Sequence, residues 1–245
     1  EVHLEMGAHT EPDARSNNVI GELRGRERPG EIVVIGGHLD SWDVGQGAQD
    51  DGAGCVLAME SVRLMQRLGL HPRRTVRCVL WVNEENGGRG GRAYADSLHG
   101  DVSQHVVAIE SDGGAERPLG FMLGVHRPGS DSTDAARLAA GLARLRGLAP
   151  LFTGLGADHM SDGGGEADIG PLMTMGVAGI SHRTVMEHYF DWHHSRADML
   201  DKVDPVELRR NLAALAALVY LVADDPEPLA GRSPAVPRPA EPGTH

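Results

Sequence analysis

The sequence predicts an α/β fold with a mixed central sheet and helices on both faces of that sheet. Three apolar runs rich in β-branched residues, 32–35, 75–82 and 106–109, are typical of buried strands. Between the first two runs, residues 53–68 carry apolar side chains at helical spacing. Strands that alternate with helices favour a largely parallel or mixed sheet that is covered on both sides.

The other elements of the first half are shorter. Residues 2–6 and 18–24 alternate apolar and polar side chains, which predicts two antiparallel strands leading into the central strand. The helix that begins at Ala53 is expected to end near Gly69, because glycine commonly follows the last turn of a helix. Residues 92–98 predict a second, short helix.

The pattern in the second half is less regular. Residues 134–145 predict an amphipathic helix with Ser132 or Thr133 as its N-cap. Residues 157–170 are expected to form a loop, and residues 171–180 a short helix that turns into a strand.

A long helix rich in alanine and leucine is predicted from Asp204 and Pro205 to about residue 222. It closes the expected folded unit, residues 1–224, which is predicted to be a single domain because 245 residues can bury one full-sized core. Residues 225–245 contain repeated prolines and few large apolar residues, so this tail is predicted to be disordered.

Composition and charge exclude several functional classes. The net charge of −12 disfavours nucleic acids and anionic membranes as partners. No stretch of the sequence is long and apolar enough to span a bilayer. The two cysteines, Cys55 and Cys78, fall in a predicted helix and a predicted strand, where we expect buried apolar residues and not a disulfide pair.

Histidines and acidic residues follow the predicted strands where each strand ends. The residues that stand out are His38, Asp40, Asp50, Glu84, Glu85, Asp112 and, later in the chain, His194. Each of them alone is most simply a solvated polar residue, but ligands in open α/β sheets bind at the carboxyl ends of the strands, where these residues would meet. Mixed histidine and carboxylate ligands suit zinc, and a bridging carboxylate suits two metal ions roughly 3.5–4 Å apart.

The sequence resembles the co-catalytic dizinc exopeptidases of metallopeptidase family twenty-eight. The resemblance is carried by GGHLDSWDVGQGAQDDGAG, LWVNEENGGRGG, AIESDGG and HHSRAD, in the order and spacing of the family. It covers about residues 1–224 and is greatest to the branch that contains plasma glutamate carboxypeptidase, or carboxypeptidase Q. It implies a three-layer zinc-exopeptidase fold, two Zn²⁺ ions per chain and a partial chain, since members of this branch also carry an N-terminal region and a protease-associated domain.

The resemblance also implies a set of metal ligands. His38 and Asp112 would bind one zinc ion, Glu85 and His194 would bind the second, and Asp50 would bridge the two ions.

Further roles around the metals are implied in the same way. Glu84 would be the general base for a hydroxide that bridges the two ions, and Asp40 would accept the second ring N–H of His38. The peptide bond between Asp50 and Asp51 is expected to be cis, and Asp198 is expected to brace the loop that carries His194.

Several residues near the motifs have open roles. His193 stands where many members of the family have tyrosine, and is either a donor to the oxyanion or a wall of the pocket. Trp42 and Trp192 are candidates to line a substrate pocket. Asp168 is predicted to be the N-cap of the helix that follows it.

The implied function is the hydrolysis of dipeptides or of the N-terminal residue of short peptides, and the acidic residues suit a substrate with a free α-amino group. Another dizinc amide hydrolase activity, such as cyclisation of an N-terminal glutamine, and a non-catalytic binding domain are the alternatives. The resemblance further implies export to the periplasm or out of the cell. No signal peptide occurs, which is uninformative because residues 2–6 already resemble a strand inside a domain. A homodimer is left open.

Overall fold

The computed structural model describes residues 2–7, 9–125 and 129–231. Within these ranges a seven-stranded mixed sheet forms, with the order β1-β3-β2-β4-β7-β5-β6. The strands are β1 (Val19–Leu23), β2 (Arg28–His38), β3 (Arg74–Trp81), β4 (His105–Glu110), β5 (Pro118–Gly124), β6 (His159–Asp162) and β7 (Ala178–Thr184).

The central strands run parallel. β2 lies between β3 and β4, so that Ile35 is beside Cys78 on one side and Ile109 on the other, and β4 pairs with β7 in the same direction. β1 and β5 are antiparallel to their neighbours β3 and β7. The carboxyl ends of β2, β3, β4 and β7 therefore reach the same edge of the sheet, as the sequence predicts.

Helices cover both faces of this sheet. They are α1 (Ala53–Arg67), α2 (Arg89–Ser97), α3 (Ser132–Leu148), α4 (Gly170–Thr174), α5 (Tyr189–Trp192) and α6 (Pro205–Asp224). Val33 and Ile35 of β2 pack in the core beneath α1, α3 and α6, and Ile32 and Val34 pack on the opposite face beneath α2 and α4. The prediction of an α/β fold with helices on both faces is confirmed.

The ends of the helices agree with the sequence in part. α1 is followed by Gly69 in the left-handed conformation (φ +66°), which is the conformation that favours glycine there. The N-cap of α3 is Asp131, whose carboxylate accepts the backbone N–H groups of Thr133 and Asp134. The predicted caps, Ser132 and Thr133, are wrong because the aspartate one residue earlier has this role.

Two strand predictions are also wrong. Residues 2–6 form no strand, and their apolar side chains are exposed, with Val2 94% exposed. Alternation defines the two faces of a strand but supplies no partner, and β1 already occupies the position beside β3. β6 lies inside the region 157–170 that was predicted to be a loop. It is four residues long and its buried apolar residue is Met160 alone, which is too little for a sequence pattern.

The packed chain continues past the expected boundary at residue 224. Leu229 and Ala230 are buried in the core beneath α3, and Arg144 donates to the carbonyl oxygen of Pro228 at 2.7 Å. The remainder of the predicted tail, residues 232–245, lies outside the described ranges. Cys55 and Cys78 are buried and not joined to each other, as expected. No helix of the described chain combines the length and the apolar character needed to cross a membrane.

A buried histidine gives the fold a specific acid sensitivity. His105 at the start of β4 is 5% exposed, and its Nε2 accepts the hydroxyl hydrogen of Tyr94 at 2.8 Å. Burial lowers the pKa of His105 to about 4. The folded state therefore keeps this ring neutral, while the unfolded chain takes up a proton below about pH 6.5, the ordinary value for histidine. The free energy of unfolding that the neutral His105 contributes is therefore lost as the pH falls from about 6.5 to about 4.

The substitution His105→Gln isolates this effect, because glutamine can accept the Tyr94 hydroxyl but does not titrate. Between about pH 7 and about pH 5 we expect the free energy of unfolding of the unchanged protein to fall by about 2 kcal/mol more than that of the variant. Urea unfolding of both metal-free proteins at the two pH values measures the difference. Equal losses in the two proteins would contradict a neutral buried His105.

Candidate metal centre

The predicted ligands gather at the carboxyl edge of the parallel strands. His38 is the last residue of β2, Glu84 and Glu85 lie in the turn after β3, and Asp112 comes two residues after β4. Asp50 lies in the loop between β2 and α1. His194, from the segment after α5, completes the group.

The first group of donor atoms surrounds His38. Its Nε2 is 3.3 Å from Oδ1 of Asp50 and 3.6 Å from Oδ1 of Asp112. These three residues each offer one donor atom, and all three atoms lie within 4.8 Å of one another. Nδ1 of His38 lies 2.8 Å from the carbonyl oxygen of Asp40, which can only accept, so the ring proton is on Nδ1. Nε2 therefore faces the two carboxylates, and its lone pair would be available to a metal ion bound between them.

The second group lies on the other side of Asp50. Oδ2 of Asp50 is 3.4 Å from Nε2 of His193 and 3.4 Å from Nε2 of His194. Nε2 of His194 is also 2.9 Å from Oε2 of Glu85, whose side chain is 2% exposed. The two oxygens of Asp50 therefore face different groups of donors, which is the arrangement that a bridging ligand requires.

The donor set fits zinc. Oδ2 of Asp50 and Oε1 of Glu85 are buried and have no hydrogen-bond partner among the described residues. A buried carboxylate oxygen without a partner is costly, and a cation at this position would satisfy both atoms. Imidazole nitrogens combined with carboxylate oxygens are typical zinc ligands.

Asp40 holds the turn that carries the two glutamates. Its Oδ1 accepts the backbone N–H of Glu84 at 3.0 Å, and its Oδ2 accepts that of Glu85 at 3.2 Å. The carboxylate is 3.9 Å from Nδ1 of His38. The expectation that this carboxylate accepts the ring N–H is therefore corrected: the backbone carbonyl of Asp40 accepts it, since the carboxylate is turned toward the two backbone N–H groups and lies too far from Nδ1.

Glu84 is half-buried and borders the same cavity as the ligands Asp50, Glu85, Asp112 and His194. Burial raises the pKa of Glu84, and the carboxylates of Asp112 and Asp50 raise it further against the opposing effect of His38. A carboxylate whose pKa is raised from its ordinary value is a better proton acceptor near neutral pH.

Asp198 connects two of the ligand segments. Its carboxylate accepts the backbone N–H of Gln49 at 2.8 Å and that of Asp50 at 3.0 Å. Because Asp198 comes four residues after His194, these two hydrogen bonds tie the segment that carries His194 to the segment that carries Asp50. The peptide bond that follows Asp50 is cis, as the resemblance implies, and Asp51 accepts the backbone N–H of His38 at 3.0 Å.

Four of the five predicted ligands, Asp50, Glu85, Asp112 and His194, line a cavity of about 410 Å³, and His38 is buried beneath it. Its lining includes Glu84, Asp112, Glu166, Arg183, Tyr189 and His193. The cavity is thus mostly acidic, and His193 borders it.

Neither tryptophan lines this cavity. Tyr189 at the start of α5 and His193 directly after it border this cavity, whereas Trp192 borders a separate hollow of about 260 Å³. The ring of His194 stacks on the ring of Trp42, at 4.4 Å between centroids, and also on the ring of His193, at 3.6 Å. Trp42 therefore restrains a predicted ligand. The expectation that Trp42 and Trp192 line the substrate pocket is corrected for this cavity, which neither of them borders.

Two buried acids beneath the site were not identified from the sequence as site residues. Asp168 does not cap α4: that N-cap is Ile169, whose backbone N–H donates to Oε2 of Glu110 at 3.0 Å. Both acids are fully buried, and burial raises the pKa of Asp168 to about 7. Glu110 is the last residue of a buried strand, and a charged residue at such a position is the only signal that the sequence offers.

Comparison with known proteins identifies similar sequences. The sequence profile described as Peptidase family M28 matches residues 18–219. Carboxypeptidase Q of Mus musculus is 38% identical over 228 residues, which are 93% of this chain and 46% of that protein. The human carboxypeptidase Q is 36% identical over the same length. The chain therefore spans about half the length of the curated relatives that it matches.

Solved structures with the same fold include two that cover most of the chain. A Peptidase M28 precursor from Shewanella amazonensis is 33% identical with a TM-score of 0.77, over 90% of this chain and 47% of that chain. A zinc aminopeptidase from Bacillus subtilis is 18% identical with a TM-score of 0.61, over 88% of this chain and 52% of that chain.

Proposed function

The chain belongs to peptidase family M28, and from that premise we propose that it is a zinc-dependent exopeptidase with two zinc ions per chain. Its substrates are dipeptides, or short peptides from which it removes the N-terminal residue. The observation that carries the proposal is the position of Asp50, which lines the cavity and whose two oxygens face two separate groups of histidine and carboxylate donors.

The residues that would hold the metals are divided by Asp50. His38 and Asp112 would bind one ion, Glu85 and His194 would bind the other, and Asp50 would contribute one oxygen to each. When bound, zinc supplies Lewis acidity that polarises the scissile carbonyl and makes a water molecule more acidic.

Glu84 is the proposed general base. It lies in the turn fixed by Asp40, borders the cavity and has a raised pKa. It would take the proton of the attacking water and later deliver it to the leaving amine. His193 borders the same cavity, and we assign it to hydrogen bonding of the oxyanion.

The acidic lining favours substrates with a free α-amino group. Glu84 and Glu166 border the cavity and are not assigned to a metal ion, and negative charge on them would attract an ammonium group and disfavour a blocked N-terminus. This supports an exopeptidase over an endopeptidase. Export from the cytoplasm, which the resemblance implies, is a further part of the proposal.

The test combines metal analysis with activity on one sample. The 245-residue chain, purified without chelator, is expected to contain about two zinc ions and to hydrolyse dipeptides until a chelator removes them. A panel with free and acetylated N-termini distinguishes the exopeptidase from another amide hydrolase. Absence of metal in folded protein would overturn the ligand set, and chelator-resistant hydrolysis would overturn the zinc dependence.

A further inference from the structure

Arg183 is the only lysine or arginine among the residues that line the main cavity. It lies near the carboxyl end of β7, the strand that runs parallel to β4, and therefore on the same edge of the sheet as the metal ligands. Its side chain is half-buried. A single positive charge is thus placed in a cavity whose other charged groups are carboxylates.

Within the described chain, the guanidinium of Arg183 makes one weak hydrogen bond. Its hydrogen-bond partner is the thioether sulfur of Met186, at 3.9 Å. Across the described chain no carboxylate oxygen lies within the 4.0 Å of an ion pair with it. Thioether sulfur is a weak acceptor, so this partly desolvated cation keeps most of its hydrogen-bonding capacity.

Glu166 borders the same cavity but does not neutralise Arg183. Burial raises the pKa of Glu166 to about 7, against a hydrogen bond to Ser181 and the positive charge of Arg183, which both lower it. The cavity therefore has an acidic side at the metal ligands and a basic group on β7. An arginine that is fixed beside a cavity binds carboxylates through paired, charge-assisted hydrogen bonds.

We propose that Arg183 binds a carboxylate of the substrate and so directs the enzyme to peptides with a carboxylate close to the scissile bond. This inference rests on the proposed function, since it defines the substrates of that same cavity. A dipeptide offers this chemistry through its C-terminal α-carboxylate, and a peptide with an acidic residue after the scissile bond offers it through a side chain. In both, the ammonium group would lie among the acidic residues and the carboxylate at Arg183.

Four compounds distinguish the two sources of carboxylate. Ala-Ala and Ala-Ala amide differ in the α-carboxylate alone, and Ala-Glu amide and Ala-Gln amide differ in the side-chain carboxylate alone. Steady-state kcat and KM are measured for each, and binding of each to zinc-loaded Glu84→Gln protein is measured by calorimetry.

The variants are Arg183→Gln, which removes the charge, and Arg183→Lys, which keeps the charge without the planar donor pair. Arg209→Gln, at an exposed position on α6, is the matched control. We expect one carboxylate compound of a pair to be preferred over its amide by about 10- to 100-fold, mainly in KM and in affinity. Arg183→Gln should remove that preference, Arg183→Lys should restore part of it, and Arg209→Gln should retain it.

The outcomes separate this inference from the function on which it rests. A preference within the first pair that depends on Arg183 identifies the α-carboxylate, and one within the second pair identifies the side chain. Metal-dependent hydrolysis without any preference, or with a preference that survives Arg183→Gln, overturns the role of Arg183 and leaves the exopeptidase proposal standing. Protein that hydrolyses none of the compounds but binds them with the expected preference overturns the exopeptidase proposal alone.

Discussion

Replacement of Glu84 by glutamine is expected to lower kcat by about 10³-fold and to leave the zinc content unchanged. Glutamine has nearly the same shape and keeps the backbone N–H that donates to Asp40, so the turn should be preserved. It cannot take a proton from water at neutral pH, which removes the step assigned to this residue. Single-substrate kinetics and elemental analysis of the same preparation measure both quantities.

The neighbouring substitution Glu85→Gln is the matched control, because it makes the same chemical change one residue later. Glu85 contacts His194 at 2.9 Å and has a buried oxygen without a partner, so this variant should lose zinc. If Glu84→Gln also lost zinc, Glu84 would be a ligand and not the base. If it retained full turnover, the assigned role would be wrong.

Asp50→Asn is expected to have the largest effect on metal binding. The amide offers one oxygen and one NH₂ group, so only one of the two donor groups can still be joined through this side chain. We expect the affinity for zinc to fall by at least about 100-fold, since loss of even an indirect partner of a ligand costs 10- to 100-fold. The anchors of its backbone on Asp198 should remain.

Thermal unfolding with and without added zinc measures this loss. Zinc should raise the Tm of the unchanged protein, because a ligand of the folded state stabilises it, and should raise that of Asp50→Asn far less. Asp96→Asn, on the exposed face of α2, is the control and should respond to zinc as the unchanged protein does. An equal response of Asp50→Asn would contradict the bridging role.

The positions of the main side chains were predictable because they depend on chain direction. His38, Glu84 and Asp112 each follow a buried apolar run, and parallel strands with helical connections bring such ends to one edge. The same reasoning found the helices on both faces, since 53–68 and 204–222 have a clear apolar period.

The details that depend on tertiary contacts were not predictable in this way. Whether the carboxylate or the carbonyl of Asp40 accepts the His38 ring is decided by competition with two N–H groups from another loop. Which hollow Trp192 borders depends on how α5 is oriented, and the burial of Asp168 depends on the packing of its own loop against Glu110 at the end of β4. None of these tertiary contacts can be read from the residues that are neighbours in the sequence.

The link between Asp198 and the backbone at Gln49 and Asp50 joins positions 149 and 148 residues apart in the chain. Contacts of such long sequence separation form late, because the loop between them must close first. During synthesis, His38, Asp50 and Glu85 emerge well before His194 can meet them. Occupation of both proposed metal positions would thus be completed only at the end of folding, and a chain that stops short of this segment would lack a complete set of ligands however well its sheet had formed.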